Sequence, residues 1–258
     1  MTSPPPPKAP GSHASKKQRV DVLLVERGLA ETRAKAQALV LAGEVFRGDE
    51  RVDKPGTTIA SDSPLTVRSR EKYVSRGGLK LEGALADLAF DPKGLVAADV
   101  GASTGGFTDC LLQHGAERVY AIDVGQGQLA HRLVTDARVV VMDRQNARFL
   151  EAEQVGGGVD LAVVDASFIS LDKLLEALAR IVRSGGALLA LIKPQFEVGR
   201  EEAGRGKGVI KDPELRQRAI NGVLEAVKAQ GFWLVGDAPC RVPGPKGNVE
   251  HFVLARRV

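Results

Sequence analysis

The chain has 258 residues, 43% hydrophobic and 26% charged, an ordinary balance for a globular protein of one large domain, or one large and one small. Its formal charge of +4 sits entirely in residues 1–70, which hold 12 Lys/Arg against 8 Asp/Glu; residues 71–258 balance at 24 against 24. Two distant cysteines, Cys110 and Cys240, exclude a disulfide framework or a zinc ribbon, the apolar run Ala187–Ile192 is too short to span a bilayer, and aromatics at 4% leave few base-stacking platforms.

Residues 1–18 are rich in Pro, Ser and Lys and read as a disordered basic tail, without the apolar core of an export signal. With the cysteine usage, this points to the cytoplasm. Residues 19–67 read as a compact unit. Val20, Leu23 and Leu24 share a helical face that Gly28 ends. Thr32 can cap a second helix, with Ala36, Leu39 and Val40 on its apolar face and Gly43 at its end. Short extended pieces follow at Val45-Phe46, Arg51-Val52 and Leu65–Val67, with Gly48-Asp49 as a turn. A basic small module beside a neutral large one suggests a polyanion-binding appendage.

Arg19-Val20-Asp21, Leu24-Val25, Gly28-Leu29, Thr32-Arg33, Gly43-Glu44-Val45 and Lys54-Pro55-Gly56 resemble the RNA-binding domain first described in small-subunit ribosomal protein S-four. The resemblance runs from about Arg19 to Val67; it departs at the turn, where Arg47-Gly48-Asp49 replaces the usual Val-Asn-Gly. It implies an RNA-binding surface of Arg19, Arg33, Lys35 and Arg47, cations that track phosphates without reading bases.

Residues 68–75, with Tyr73, read as a linker. A helix from Arg76 to about Leu88 carries Leu81, Ala84, Leu85 and Leu88 on one face. The strand Leu95–Ala98 then leads through the glycine-rich turn Asp99–Phe107 into a helix. Strands are expected at Arg118–Ile122, Arg138–Met142, Val159–Val164, Gly186–Ile192, Phe232–Val235 and Phe252–Ala255. Helices are expected at Leu171–Val182 and from Asp212 to about Gln230. The fold class is therefore α/β: a small α+β domain, then a Rossmann-like, doubly wound, mainly parallel sheet over residues 76–258.

The turn fails two phosphate-binding patterns, since Ser103 stands where a dinucleotide fingerprint needs glycine and no Gly-Lys-Ser/Thr is present. Its candidate ligand contacts are Asp99, Gly101, Ser103, Gly105, Gly106 and Phe107. A carboxylate there attracts an ammonium and repels a phosphate, which suits a cofactor with a cationic amino-acid end. In open α/β sheets ligands bind outside the carboxyl ends of the strands. Five successive strand ends carry Asp99, Asp123, Asp143, Asp165 and Lys193. Asp123 is placed for a ribose, and Asp143 or Asn146 for a base, the layout expected for S-adenosylmethionine.

The turn Asp165-Ala166-Ser167-Phe168 lacks the prolines of an amino-group methyltransferase, and neither cysteine is placed as a carbon-methylating nucleophile. What remains is Asp165, Lys193 and, if their helix and hairpin fold back, Lys80 and Glu250. These four match the Lys-Asp-Lys-Glu set of FtsJ-like 2′-O-ribose methyltransferases. Their contexts, Ser75–Leu81, Asp165–Leu171, Leu191–Glu197 and Gly247–Glu250, resemble the TlyA family of ribosomal-RNA 2′-O-methyltransferases, sometimes labelled hemolysins. The resemblance covers about Arg19 to Val258 and implies methylation of a cytidine ribose in ribosomal RNA, on ribosomal subunits or free RNA, with no metal required.

A lysine works as a base only where burial or a neighbouring cation favours its neutral form. Lys193 is the candidate proton acceptor under that condition; Asp165 favours the charged lysine and so has the role of orienting it, and Lys80 and Glu250 fix it and the hydroxyl. The glycine-rich segment Glu197–Gly208 reads as a lid that meets RNA. Two other readings stand beside this one: a non-catalytic ribosome-assembly factor, and a membrane-active hemolysin, against which the lack of an export signal and of a long apolar segment counts.

Overall fold

A computed structural model describes residues 16–67, 72–199 and 208–258. Most of the expected tail, half of the linker and most of the expected lid lie outside the described residues. The chain divides into two compact units, Met1–Glu71 and Lys72–Val258.

The first unit runs β1 (Lys17–Arg19), α1 (Val20–Glu26), α2 (Arg33–Leu41), β2 (Val45–Arg47), β3 (Glu50–Arg51), β4 (Thr58–Ala60) and β5 (Leu65–Val67). β1 pairs antiparallel with β4, so Lys17 and Gln18 are strand, not the tail expected for them; Gln18 lies opposite Ile59. The other sheet has the order β3-β2-β5. The Thr32 hydroxyl accepts from the Lys35 amide at 3.2 Å and so caps α2. Val20, Leu24, Ala36, Val40 and Val45 are fully or almost fully buried between helices and strands.

Asp21 is buried on α1 among these apolar residues. It is satisfied from three directions. Arg19 donates Nε and a terminal nitrogen at 2.9 and 2.8 Å, Arg33 donates Nε at 3.0 Å, and Gln37 donates Nε2 at 3.0 Å. The Arg19 guanidinium holds the Asp21 carboxyl well below the usual carboxylate range.

The second unit comprises α3 (Gly77–Asp87), β6 (Val96–Val100), α4 (Gly106–Gln113), β7 (Arg118–Ile122), α5 (His131–Val134), β8 (Val139–Met142), β9 (Val159–Val164), α6 (Asp172–Ile181), β10 (Val182–Ile192), α7 (Pro194–Glu197), α8 (Pro213–Ala229), β11 (Phe232–Pro239) and β12 (His251–Arg257). Its seven strands have the order β11-β12-β10-β9-β6-β7-β8. β10, β9, β6, β7 and β8 run parallel, and β12 joins β10 and β11 antiparallel. β10 starts four residues before its expected start and shifts register between Val182 and Ala187.

Alternate strand residues feed two cores, as the period of two requires. Ala98, Val100, Ala162, Val164, Leu188 and Ala190 face α6 and α8. Ala97, Leu161, Val163, Leu189 and Leu191 face α3 and α4. Both faces are covered, which explains the near-continuous apolar strands. β6 is the switch point: the chain winds from it through β7 to β8, then returns to lay β9 on its other side.

Replacing Asp21 tests the polar centre of the first unit. Asp21→Asn is expected to lower stability to urea at pH 7 by about 2 kcal/mol; both arginines are half-exposed, which keeps the loss below that of a wholly buried pair. A depressed folded pKa contributes stability above the ordinary Asp range and loses it as pH falls through that range. Wild-type stability should therefore decline below about pH 4, and Asp21→Asn should flatten that decline.

Candidate active site

The carboxyl ends of β6 and β9 are joined directly: the Asp165 amide donates to the Val100 carbonyl at 3.0 Å. Gly101 follows with φ +88°, and a Cβ there would lie 2.9 Å from the Asp165 carbonyl oxygen. Gly105 caps α4 with φ +94°, where a Cβ would meet Leu133 at 2.3 Å. Gly106 packs against Ser75, Gly77 and Gly78 at the start of α3. These glycines thus answer to the protein's own close packing.

Beyond this junction lies a cavity of about 370 Å³. Gly101, Ser103, Asp123, Gln128, Asn146, Asp165 and Ser167 supply its polar surface; Ile122, Ala147, Phe168, Ile169 and Leu174 supply apolar surface. Asp123 accepts from the Ser103 amide at 2.8 Å and the Gly125 amide at 2.7 Å. Asn146 accepts from the Arg148 amide at 3.2 Å. Asp143 accepts from Gly127 at 2.8 Å and is not in the lining, so of the two expected base contacts only Asn146 faces the cavity.

Four more expected contacts are not in the lining: Gly105 and Gly106, taken up by the packing just described, and Phe107 and Asp99. Phe107 is buried in the core, its ring 6.1 Å from that of Phe252, because it lies on the apolar face of α4. Asp99 lies within β6, not past its end, and is wholly buried. One of its oxygens accepts from the Thr108 amide at 2.8 Å and hydroxyl at 2.7 Å; the other has no hydrogen-bond partner among the described residues. Burial pushes this carboxyl up to about 7, and the two Thr108 bonds oppose the rise.

The four expected catalytic residues form two ion pairs. Lys193 Nζ lies 2.5 Å from Asp165 Oδ1 and donates to Ser167 Oγ at 2.8 Å. The contact with Asp165 is a close charge pair without aligned hydrogen-bond geometry. Lys80 Nζ lies 2.6 Å from Glu250 Oε2, and both side chains are buried. α3 and the β11–β12 hairpin do fold back. Gln195 Nε2 donates to the other Glu250 oxygen at 3.4 Å. Asn248 holds the neighbouring segment, accepting from the Ile210 amide at 3.1 Å and donating to the Gly208 carbonyl at 2.9 Å.

Lys193, Gln195, Phe196, Asn248 and Glu250 line a second cavity of about 360 Å³. Ser167 and Phe168 line both cavities and so form their common boundary. Phe168 is 92% exposed, has φ +66°, and rests on Phe196 with ring centroids 5.4 Å apart. A bulky residue in that conformation is strained, and such strain gathers at functional sites. Ser167, Phe168 and Gln195 are the site residues that sequence reasoning missed. Their one signal is an aromatic beside an acidic strand end in a chain poor in aromatics.

In the first unit, Arg19 and Arg33 share Asp21, and Arg47 pairs with Glu50. Arg19, Arg33 and Arg47 remain about half-exposed, and Lys35 is exposed on the first turn of α2.

The fold and site define a methyltransferase with an appended RNA-binding-type module. The family model for FtsJ-like methyltransferases matches residues 73–257, and that for the S4 domain matches residues 18–62. The chain is 46% identical to the 16S/23S rRNA (cytidine-2′-O)-methyltransferase TlyA of Mycobacterium tuberculosis, over 94% of this chain and 91% of that one. It is 38% identical to hemolysin A of Brachyspira hyodysenteriae, over 92% of this chain and 100% of that one. A solved structure from Streptococcus thermophilus, titled a hemolysin, superposes with TM-score 0.71 at 41% identity and covers 94% of this chain and 89% of its own. The chain belongs to the TlyA family of FtsJ-like methyltransferases.

The buried Asp99 carboxyl gives the second unit a pH signature. A group whose folded pKa is raised contributes stability at low pH and loses it as pH rises from its unfolded range, near 4, through about 7. Thermal unfolding of the wild type should weaken across that window. Asp99→Asn keeps the acceptor for Thr108 and should show little such slope.

Proposed function

We infer that the protein transfers a methyl group from S-adenosylmethionine to the 2′-hydroxyl of a ribose, a cytidine in ribosomal RNA. The observation that carries this reading is the pair of ion pairs, Lys193–Asp165 and Lys80–Glu250, beside two cavities with a common wall. Membership of the family and the rRNA (cytidine-2′-O)-methyltransferase activity of the Mycobacterium tuberculosis relative support the acceptor. An rRNA substrate puts the reaction in the cytoplasm. No helix among the described residues is long and apolar enough to cross a membrane.

The first cavity fits the cofactor. Asp123 offers carboxylate oxygens to ribose hydroxyls, Asn146 offers an amide to a base, and Ile122, Ala147, Ile169 and Leu174 offer apolar walls. The wholly buried position of Asp99 gives it a supporting role beneath the loop, through Thr108. When bound, S-adenosylmethionine supplies an electrophilic methyl on a sulfonium centre. The acceptor ribose enters from the second cavity.

Lys193 Nζ then stands at the boundary, held by Asp165 and Ser167. An ammonium has three donors and no lone pair, so Lys193 in its charged form orients the hydroxyl oxygen. Only in its neutral form does Nζ take the 2′-hydroxyl proton. Glu250, anchored by Lys80 and Gln195, offers a further acceptor at the same mouth. Alignment of the reacting atoms is expected to supply much of the acceleration, on the scale of about 7 kcal/mol for well-held reactants. Arg33, Lys35, Arg19 and Arg47 grip phosphates and bring the RNA to the site.

Tritiated methyl transfer to 30S subunits, 50S subunits and free rRNA, followed by mass mapping, tests the reaction. A 2′-O-methylcytidine is expected, with Lys193→Ala at least about 100-fold slower. Transfer unchanged in that variant would overturn the assignment of Lys193. Cofactor binding without transfer to any RNA would make the protein an assembly factor. For the RNA module, Lys35→Ala leaves the Asp21 network intact. It should weaken RNA binding evenly across sequences and reduce the log–log salt slope by about 1.

A further inference from the structure

Glu197 is the last residue of α7, four positions after Lys193. Its Oε1 accepts from the Leu171 amide at 2.9 Å, and its Oε2 lies 2.9 Å from the Ser170 hydroxyl, whose single proton it shares with Asp172. Leu171 is the N-terminal cap of α6, and its own side chain cannot cap. The acceptor comes instead from a segment 26 positions away. Burial holds the Glu197 carboxyl above its usual range, and the Leu171 and Ser170 bonds oppose this.

The two segments that carry the site therefore meet at both ends. At one end Lys193 meets Asp165 and Ser167; at the other Glu197 meets Ser170 and Leu171. Between them Phe168 rests on Phe196. Phe168 holds a left-handed conformation, φ +66°, that only an over-determined loop sustains. One end alone would leave that loop free to relax.

We propose that Glu197 is a positioning residue for methyl transfer, which bridges Ser170 and Leu171 and so locks the Asp165–Phe168 loop against the Lys193 turn. The proposal rests on the reading of the site given above. Glu197 touches neither reactant; it acts by keeping Lys193 Nζ and Phe168 at the boundary of the two cavities.

Glu197→Ala and Glu197→Gln in the full chain test it, with steady-state methyl transfer and amide hydrogen exchange read on both. Glu197→Ala should lower kcat about 30-fold while the KM for cofactor stays within about threefold. Exchange should quicken about tenfold in residues 165–171 and not in β6 or β7. Glu197→Gln keeps a carbonyl acceptor for Leu171 and should recover kcat to within about threefold of wild type. An unchanged kcat in Glu197→Ala overturns the proposal, as does a loss accompanied by faster exchange throughout the second unit. If the wild type transfers no methyl group, the functional reading falls and exchange alone decides. Acceleration confined to 165–171 then supports the lock, and its absence overturns it.

Discussion

The second unit depends on one buried ion pair between residues 170 positions apart, Lys80 on its first helix and Glu250 before its last strand. Two charges leave water to form it, and their attraction offsets that cost only when geometry and further hydrogen bonds are good. Here the geometry is tight at 2.6 Å, and Gln195 serves the remaining Glu250 oxygen. Such a pair does little for stability compared with an apolar one of equal size. Its effect is specification: α3, the β10 end and the hairpin must meet at one place. The second cavity opens beside this meeting point, lined by Lys193 and Gln195 after β10 and by Asn248 and Glu250 of the hairpin.

The second constraint is the junction of β6 and β9. The amide of Asp165 is spent on Val100, and Gly101 has no room for a side chain. The two cavities therefore lie on either side of a loop whose first residue is tied to the sheet. Glycines in the turn, read from sequence as space for a ligand, are required first by Asp165, Leu133 and the α3 start. A ligand uses the surface that this packing leaves behind.

Much of this was legible in the chain. Apolar runs and glycine punctuation placed most of the strands of the large sheet, since parallel strands covered on both faces carry near-continuous apolar sequence. Lys80, Asp165, Lys193 and Glu250 could be grouped because their contexts are distinctive. Periodicity could not show how they pair, because pairing depends on helix and hairpin orientation. Asp99 and Phe107 were read as ligand contacts, since position in sequence does not separate a residue inside a strand or on a core helix face from one just beyond it. Phe168 was invisible as a site residue because its exposure follows from a left-handed backbone, which no local pattern announces. The strand at Lys17–Arg19 was missed for a related reason: three polar residues become strand only when β4 offers a partner.

β12 lies between β10 and β11, inside the sheet, and Glu250 immediately precedes it. During synthesis the sheet through β10, with Asp165 and Lys193, emerges first. The sheet stays open on the β10 side until β12 pairs with β10 and brings β11, whose strand partner is β12, to the edge. Such long-range pairing is slow compared with local helix formation. A chain folded only through β10 thus has Lys193 beside Asp165 and Ser167 but lacks Glu250. Until β12 docks, Lys80 has no Glu250 to pair with and the second cavity has no hairpin wall.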